Sequence, residues 1–256
     1  MSVGGFGLNG IVTNGLVLNL DAANRRSFVS GSTSWHDLSG RNNTGTLTGG
    51  VTYNSSNGGS LVFNGSNGYV LISNNGYNLG VTFTLQIWTK ITRFGGGPFS
   101  LGSATRAVLM SNAWDYTLNQ GFWFGATSQA ASSPYTPTPG RETFFISLGQ
   151  DQYSAGAAIG SLTPYVNNWV NLSAVVNGTN PLKLYINGVE PQYLYQLNGP
   201  SSISYVSGKK FTIGANVEAT TYEYMQGSIS NPLVYNRALT ATEILQNYNT
   251  LKNRYQ

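Results

Sequence analysis

The only histidine of the chain lies in a short polar segment that holds several side-chain types used in catalysis and metal binding. Residues 34–47 read SWHDLSGRNNTGTL and bring His36 and Asp37 together with serines and asparagines. A histidine-activated nucleophile would have to use His36. Because His36 and Asp37 are adjacent, their side chains would point to opposite faces of a strand. We therefore predict a surface histidine near a turn and no catalytic residue.

The same segment is compatible with a structural turn or with a metal site. In the turn, the Asp37 carboxylate accepts hydrogen bonds from nearby backbone amides. The residues expected to take left-handed backbone angles are Gly40, Asn42 or Asn43, and Gly45. In the metal site, Asp37, Asn42 and Asn43 would offer oxygen ligands to calcium, with Asp21 as a second carboxylate. One or two negative charges bind calcium weakly, so the turn is favoured and calcium is the one cofactor considered.

Glycoside hydrolysis requires two carboxylates facing each other across the scissile bond. The nine acidic residues are Asp21, Asp37, Asp115, Glu142, Asp151, Glu190, Glu218, Glu223 and Glu243. Only Glu218 and Glu223 lie near each other along the chain. We therefore predict a protein that is not an enzyme, and a hydrolase is the third of three interpretations.

Composition narrows the possible partners. Only 9% of the 256 residues are charged, and the net charge of +4 includes no basic cluster longer than Arg25-Arg26 or Lys209-Lys210. This pattern does not indicate a nucleic-acid partner. The absence of cysteine excludes disulfides and thiolate sites. The amino terminus does not resemble a signal peptide, and no run approaches the ~18 apolar residues of a membrane span. We therefore expect neither standard export nor membrane insertion.

Short apolar runs separated by Asn-Gly pairs predict an all-β domain, because this dipeptide suits tight hairpin turns. We assign residues 15–256 to a single domain and residues 1–14 to a glycine-rich arm lying on a neighbouring subunit. Residues 127–140 are rich in proline, serine and threonine, which predicts an exposed loop within the domain.

One short helix is predicted near the carboxyl terminus. Thr240 and Glu243 have the spacing of a capping box, and Leu239 and Ile244 have that of a hydrophobic staple. The expected buried stripe of this helix consists of Ile244, Leu245, Tyr248 and Leu251. We expect the helix to pack on the rim of the β-domain.

Alternation along three strands places one aromatic side chain of each on the polar face. These residues are Trp88 in FTLQIWTKI, Trp169 in WVNLSAVV and Tyr185 in LKLYING. Exposed aromatic rings stack on the apolar faces of sugars, and they also serve protein interfaces. In the alternative interpretation, loops or the helix bury these rings, and Trp169 is the ring for which this is most expected. We predict a ligand-binding role for all three aromatics.

Several blocks resemble one known family. GLVLNLDAANRRSF, SWHDLSGRNNTGTL, FTLQIWTKI, LKLYINGV and MQGSISNPLVYNRALTATEILQNYN are similar to successive segments of the laminin-G-like, concanavalin A-like lectin/glucanase domain. The similarity runs over residues 15–248 and is poorest over residues 102–163. It implies a two-sheet antiparallel jelly-roll sandwich with one short carboxy-terminal helix. The Glu-x-Asp-x-x-Glu triad of the family's glucanases is missing, so the resemblance argues against hydrolysis.

The opening residues resemble versions of this domain in structural proteins of tailed, especially marine, phages. The resemblance implies a non-enzymatic virion surface protein, made in the host cytoplasm, which decorates a capsid or forms part of a tail or fibre. We expect other virion subunits as partners, a homo-oligomer or many copies per particle, and weak multivalent attachment to glycans. The main alternative is a free carbohydrate-binding lectin with a weak calcium site.

Overall fold

Two antiparallel β-sheets face each other in the protein. A computed structural model describes residues 10–73, 78–93, 106–115, 120–132, 136–149, 156–159, 163–217 and 223–256. The strands are β1 (Leu16–Asn19), β2 (Ser34–Trp35), β3 (Gly45–Thr48), β4 (Thr52–Asn54), β5 (Ser60–Asn64), β6 (Tyr69–Ile72), β7 (Thr82–Arg93), β8 (Arg106–Asp115), β9 (Gln120–Ser132), β10 (Thr136–Leu148), β11 (Gly156–Ile159), β12 (Val170–Asn177), β13 (Lys183–Ile186), β14 (Tyr193–Gln196), β15 (Phe211–Ile213), β16 (Ala215–Asn216), β17 (Glu223–Tyr224), β18 (Gln226–Ile229) and β19 (Leu233–Tyr235). One α-helix, α1 (Ala241–Leu251), and three short 3-10 segments (Ser56–Gly58, Thr163–Tyr165 and Lys252–Arg254) complete the described elements.

Strand β7 organises the eight-stranded sheet. It pairs with β12 along one edge and with β19 and β18 along the other. Strand β13 extends the sheet beyond β12, β1 extends it beyond β19, and β5 and β4 extend it beyond β18. The nine-stranded sheet has the order β14-β11-β10-β9-β8-β15-β6-β3-β2. The predicted all-β, two-sheet antiparallel architecture is confirmed.

The core lies between the two sheets and follows the alternation of the strands. On β7 and β12 the residues that alternate with the outward Trp88 and Trp169 are buried, and these are Phe83, Leu85, Ile87, Ile91, Val170, Leu172, Ala174 and Val176. The nine-stranded sheet contributes aliphatic side chains such as Leu109 and Ile146 together with the aromatic residues Phe122, Phe124, Phe144 and Phe211. Burial of one face of each strand fixes the register, because a one-residue slip would turn the apolar face outward.

The helix α1 begins at the predicted capping box. The Thr240 side chain accepts a hydrogen bond from the Glu243 backbone, and the Glu243 side chain accepts one from the Thr240 backbone. Ile244 and Leu251 are buried as predicted. Leu245 is 40% exposed, so its assignment to the buried stripe is wrong. The buried position belongs to Asn247, which is 1% exposed because the sheet beneath the helix offers polar partners.

The prediction of a loop at residues 127–140 is wrong where β9 and β10 run, and residues 133–135 of this segment lie outside the described residues. Strands β9 and β10 run through most of it as an antiparallel pair, with Pro137 opposite Ala131 and Pro139 opposite Gln129. Proline is tolerated where its nitrogen faces an unpaired edge. The two prolines are two residues apart, so their nitrogens face the same side. Strand β11 pairs with residues 144–147 of β10, and none of the described residues of β11 pairs with Pro137 or Pro139.

At residues 10–14 the structure contradicts the prediction of an amino-terminal arm lying on a neighbouring subunit. Residues 1–9 of the predicted arm lie outside the described residues. The Val12 backbone donates to Asn247 Oδ1 at 2.8 Å, and Tyr235 donates its hydroxyl hydrogen to the Val12 carbonyl at 2.9 Å. Val12 is buried in the cluster that also contains Leu239 and Ile244. These residues therefore pack on their own domain, because the helix supplies both apolar and hydrogen-bonding partners.

Candidate binding surface

Trp88 does not lie on an exposed face. Its side chain is 1% exposed, because Tyr255 and Tyr248 stack on it with ring centroids 4.2 and 5.5 Å away. Alternation correctly directed Trp88 away from the core between the sheets. The error was to equate that direction with exposure, because α1 and the residues after it cover the outer face of the eight-stranded sheet.

Tyr185 is also covered, with 2% of its surface exposed. It packs in the apolar cluster beneath α1, and its hydroxyl reaches a Glu190 carboxylate oxygen at 3.5 Å. Burial, followed by the charge of Glu190, raises the pKa of Tyr185 to about 12. A tyrosine held in this way packs the helix and does not present its ring to a ligand.

Trp169 is the least covered of the three predicted ligand-binding aromatics. It is half-buried, its ring lies 4.8 Å from that of Tyr255, and its indole N–H donates to Asn57 Oδ1 at 3.1 Å. Trp169 was predicted to be the ring most subject to cover, whereas Trp88 and Tyr185 are covered more fully. Trp88, Trp169 and Tyr185 therefore do not form a shared exposed binding surface.

The segment around Asp37 forms the predicted structural turn. Asp37 Oδ1 accepts the backbone N–H groups of Asn19 and Ser39 at 2.9 Å each. Asp37 Oδ2 accepts the Ser39 hydroxyl at 2.7 Å and the Asn43 backbone at 3.0 Å. Gly40 and Asn42 take left-handed angles, as expected. Gly45 does not, because it begins strand β3. His36 is exposed, as predicted.

The two carboxylates proposed as calcium ligands, Asp37 and Asp21, are engaged by donors. Asp37 uses four lone-pair positions for the bonds just described. Asp21 accepts a bidentate ion pair from Arg254, at 2.8 to 3.0 Å, and the Ala23 backbone N–H. The Asn43 side chain donates to the Val17 carbonyl at 2.7 Å. The two carboxylates do not fit a calcium ion in their present arrangement, because a cation would have to displace their donors.

Every carboxylate whose side chain the structure describes has a cationic or backbone partner. Asp37 binds backbone amides, and the ion pairs are Asp21 with Arg254, Glu190 with Lys183, Glu223 with Arg106, and Glu243 with Arg237. Within the described ranges no three or more histidine or acidic side chains cluster as a metal site would require. Glu218, considered with Glu223 for hydrolysis, lies outside the described residues.

A second aromatic group lies on the outer face of the nine-stranded sheet. Trp123 of β9 and Phe145 of β10 point away from the core and stack with ring centroids 5.0 Å apart. Gly125 stands directly opposite Phe145, and an added Cβ there would lie 2.2 Å from the Ala107 carbonyl oxygen. The close approach of β8 therefore requires glycine at this position. We call the pair of Trp123 and Phe145 the aromatic platform.

Arg106 and Glu223 adjoin the aromatic platform. The Arg106 guanidinium lies over the Trp123 ring at 5.5 Å from its centroid and pairs with Glu223 Oε1. Their side chains are 30% and 16% exposed, and Phe145 is partly exposed, whereas Trp123 is 3% exposed. The partly exposed side chains of this surface are therefore Phe145, Arg106 and Glu223, and Trp123 is buried in contact with Phe145 and Arg106.

Glu223 reaches this position through a turn that leaves the sheet after β15. Gly214 has φ of 82°, and an added Cβ would lie 2.3 Å from the Phe63 ring, so a side chain there would clash. Strand β16 then crosses over β8, and the Ser111 hydroxyl donates to Asn216 Oδ1 at 2.9 Å. Strand β17 pairs with β16, with Glu223 opposite Asn216. Strand pairing with β16 thus fixes the backbone at Glu223, whose carboxylate pairs with Arg106.

Trp123, Phe145 and Arg106 were not predicted as site residues, although the sequence contains a usable signal for the two rings. In GFWFGATS the residues Phe122 and Phe124 alternate with Trp123, and in TFFISL the residues Phe144 and Ile146 alternate with Phe145. The same alternation that singled out Trp88 therefore also directs these two rings outward. What the sequence does not reveal is which sheet the helix covers.

Comparison with known proteins decides the family. Residues 64–245 match the family model described as the concanavalin A-like lectin/glucanases superfamily. The chain belongs to this superfamily. No curated protein sequence matches this concanavalin A-like chain at a significant level. Within the part of the chain that is described, no helix has both the length and the apolar character needed to cross a membrane.

Solved structures with the same concanavalin A-like fold include several binding domains. Domain 4 of AbnA, an extracellular arabinanase from Geobacillus stearothermophilus, shares 16% identity at a TM-score of 0.60, with 94% of this chain and 98% of that chain covered. The botulinum neurotoxin serotype D binding domain shares 16% identity at a TM-score of 0.62 over 93% of this chain. The binding domain of Paraclostridial Mosquitocidal Protein 1 shares 19% identity at a TM-score of 0.59 over 94%. The chain spans about half of the two toxin structures, namely 52% and 53%. These likenesses concern the fold.

Proposed function

We propose that this protein is a non-enzymatic, glycan-binding component of a virion surface, and that the aromatic platform is its binding site. The observation that carries the proposal is the partly exposed Phe145 ring, stacked on Trp123 beside Arg106 and Glu223. An aromatic ring next to polar groups matches the apolar face and the peripheral hydroxyls of a sugar.

The location of the platform supports this assignment. The outer face of the eight-stranded sheet is occupied by α1, so the ring of Trp88 is unavailable to a ligand. The platform belongs to the opposite sheet. Among structures with this fold, the AbnA domain was solved with arabinotriose and a botulinum neurotoxin DC binding domain with SialylT. Carbohydrate binding is thus compatible with the fold, and the residues that perform it are proposed here from this chain alone.

The absence of catalysis is part of the proposal. A glycosidase needs one carboxylate that protonates the leaving group and a second that acts as base or nucleophile. The described carboxylates are held by arginine, lysine or backbone amides, which suits structural roles. Turnover of laminarin-type glucans that is lost on replacing Glu218 or Glu223 would overturn this part.

The virion location rests on the resemblance to phage structural proteins and on a surface that is polar mainly through uncharged residues. Many copies on one particle would raise avidity without a tight single site. The test is mass spectrometry and imaging of purified particles, which measure copy number and position. Recovery in the soluble fraction with none on particles would favour the alternative, a free lectin.

Glycan binding is tested on an array, first with wild-type protein and then with Phe145→Ala. We expect binding to fall at least about tenfold, because stacking on an aromatic ring and its buried area are lost together. Trp169→Ala is the matched control, since it removes an aromatic ring of intermediate burial from the other sheet. If Trp169→Ala loses binding and Phe145→Ala does not, the binding site lies instead at the aromatics predicted from the sequence, Trp88, Trp169 and Tyr185.

Calcium enters the same experiment as a separate variable, because the lectin alternative includes a weak calcium site. The array is read in EDTA and in millimolar calcium chloride. Equal binding in both is expected if the platform alone binds sugar. Binding that requires calcium would support a metal site at Asp37 and would place the ligand near that turn.

A further inference from the structure

Strand β13 forms one edge of the eight-stranded sheet. Strand β12 pairs with one side of β13, and on the other side the Leu184 N–H donates to the Tyr193 hydroxyl at 2.8 Å. Because backbone groups alternate between the two sides of a strand, those of Leu182 and Ile186 also point away from β12. Such a row of groups, if left unpaired, is a template for a strand from another molecule.

Backbone and side-chain partners close the two ends of this row. Ile186 and Val189 exchange both of their backbone hydrogen bonds, at 2.9 and 3.0 Å. At the other end, the Leu182 N–H donates to the Leu197 carbonyl at 3.0 Å. The Gln196 side chain donates to the Leu182 carbonyl at 2.7 Å. The central position of the row is left for another group to close.

A proline prevents the backbone from closing the central position. If the antiparallel pairing of Ile186 with Val189 continued along the chain, Pro191 would lie opposite Leu184. Proline has no backbone N–H and cannot donate to the Leu184 carbonyl. The Tyr193 hydroxyl takes its place, because it accepts the Leu184 N–H and lies 3.3 Å from the Leu184 carbonyl oxygen.

The Tyr193 hydroxyl has one hydrogen and two acceptors within reach. These are the Leu184 carbonyl at 3.3 Å and Glu190 Oε1 at 3.1 Å. Burial raises the pKa of Tyr193 above its usual value, so the hydroxyl keeps this hydrogen at neutral pH. Glu190 also pairs with Lys183 of β13 at 3.0 Å, which links the carboxylate, the hydroxyl and the edge strand.

We propose that the Tyr193 hydroxyl, together with the Gln196 side chain, closes the β13 edge against pairing with a second copy of this chain. The edge itself favours such pairing, because residues 182–186 read LKLYI, with high β-propensity, a single charge and no proline. Antiparallel pairing about a two-fold axis places Leu184 of one copy opposite Leu184 of the other. Each Leu184 would then exchange the two bonds for which Tyr193 now stands in. This proposal is independent of glycan binding.

The test compares wild-type protein with Tyr193→Phe, which keeps the ring and removes only the hydroxyl. Sedimentation over a concentration series measures self-association, and residue-resolved hydrogen exchange follows the Leu184 amide. In dilute Tyr193→Phe, this amide should exchange at least about tenfold faster than in wild type, because its acceptor is lost. At high concentration the variant should associate more than wild type, and the Leu184 amide should become protected again.

Tyr185→Phe is the matched control, because it removes another hydroxyl that reaches Glu190, at 3.5 Å, and leaves the Tyr193 contact with Leu184 in place. It should associate like wild type, with an unchanged Leu184 amide. Gln196→Ala is the second test, since Gln196 is exposed and its loss opens the Leu182 carbonyl. It should raise self-association, and it decides the question if thermal unfolding shows that Tyr193→Phe does not fold.

Three results would overturn the proposal. The first is a folded Tyr193→Phe that associates no more than wild type at any concentration. The second is a Leu184 amide that exchanges equally slowly in the dilute variant and in dilute wild type, because the hydroxyl would then not protect it. The third is equal self-association of Tyr185→Phe, because a loss of packing would then be the cause.

Discussion

The ring of Tyr255 stacks on that of Trp88, with centroids 4.2 Å apart and planes inclined by 23°. On its other side Tyr255 meets Trp169 at 4.8 Å, and its hydroxyl donates to Ser230 Oγ at 2.7 Å. The carboxy-terminal residues thereby occupy the place that a ligand ring would take on the eight-stranded sheet. This contact explains why an outward tryptophan is not a binding residue.

Replacing Tyr255 should expose Trp88. We expect Tyr255→Ala to lower the free energy of unfolding by about 3 kcal/mol, because a large buried ring leaves a cavity. Tryptophan fluorescence should shift to longer wavelength as water reaches the indole. Tyr255→Phe keeps the stack and loses only the bond to Ser230, so about 1 kcal/mol is expected. Equal losses for both variants in chemical unfolding would mean that the hydroxyl, rather than stacking, holds the segment.

Asn247 should be the most sensitive polar residue of α1. Its Oδ1 accepts the Val12 backbone N–H at 2.8 Å, and its Nδ2 donates to Gln86 Oε1 at 2.8 Å. Asn247→Leu has similar volume but leaves these buried groups without partners, so a loss of about 2–3 kcal/mol is expected in urea unfolding. The control Leu245→Ala, on the exposed side of the helix, should change stability by no more than about 0.5 kcal/mol. The reverse order would indicate that the helix packs through Leu245.

Glu243 should contribute stability that is lost in acid. Hydrogen bonds from Arg237, offset by partial burial, lower the pKa of Glu243 from 4.5 to about 2. A carboxyl whose pKa is lower in the folded state stabilises fully above its unfolded value, here about 4.5, and ceases to do so as the pH falls through 2. Glu243→Gln retains capping ability but not the ion pair. We expect it to cost about 1 kcal/mol at neutral pH, since both side chains are 26% exposed.

The unfolding free energies of wild type and Glu243→Gln are compared over a series of pH values. The difference in unfolding free energy between wild type and Glu243→Gln should shrink between pH 4.5 and pH 2. A difference that stays constant over this range would show that the ion pair with Arg237 is not the source of the stability.

Asp37 should stabilise its turn whether or not calcium is present. Asp37→Asn replaces one acceptor oxygen by a donor group, and either orientation of the amide opposes backbone or hydroxyl donors. We expect a loss of about 1–2 kcal/mol, measured by thermal unfolding in EDTA and again in calcium chloride. His36→Ala, at the exposed neighbouring position, should have little effect. A melting temperature that calcium raises in wild type but not in Asp37→Asn would instead support the metal site.

Local patterns predicted the parts of the fold that depend on near neighbours. Alternation in β7 and β12 identified core residues such as Leu85 and Leu172, because a strand buried on one face repeats every two residues. The capping box at Thr240 and Glu243 marked the start of α1 because both partners lie within one turn. The Asp37 turn was likewise favoured because its acceptor and most of its donors are close in sequence.

Features that depend on distant packing were not predictable in this way. The cover over Trp88 comes from Tyr255, and the polar partner of Asn247 is Gln86 on β7. Neither relation has a local signature. Residues 127–140 were assigned to a loop because proline and serine dominate the segment, whereas pairing between β9 and β10 overrode that composition. To predict the aromatic platform, one would have to know which of the two sheets the helix does not cover.

The pairing of β1 with β19 bears on how the chain folds. Leu16 lies opposite Tyr235, and Asp21 binds Arg254. Residues this far apart along the sequence come into contact only at the entropic cost of closing a long loop. Folding rates fall as the sequence separation between contacting residues grows. During synthesis, β7 keeps one edge unpaired until β18 and β19 emerge, and unpaired edges promote aggregation. We therefore expect slow refolding that depends on protein concentration, with the eight-stranded sheet completed last.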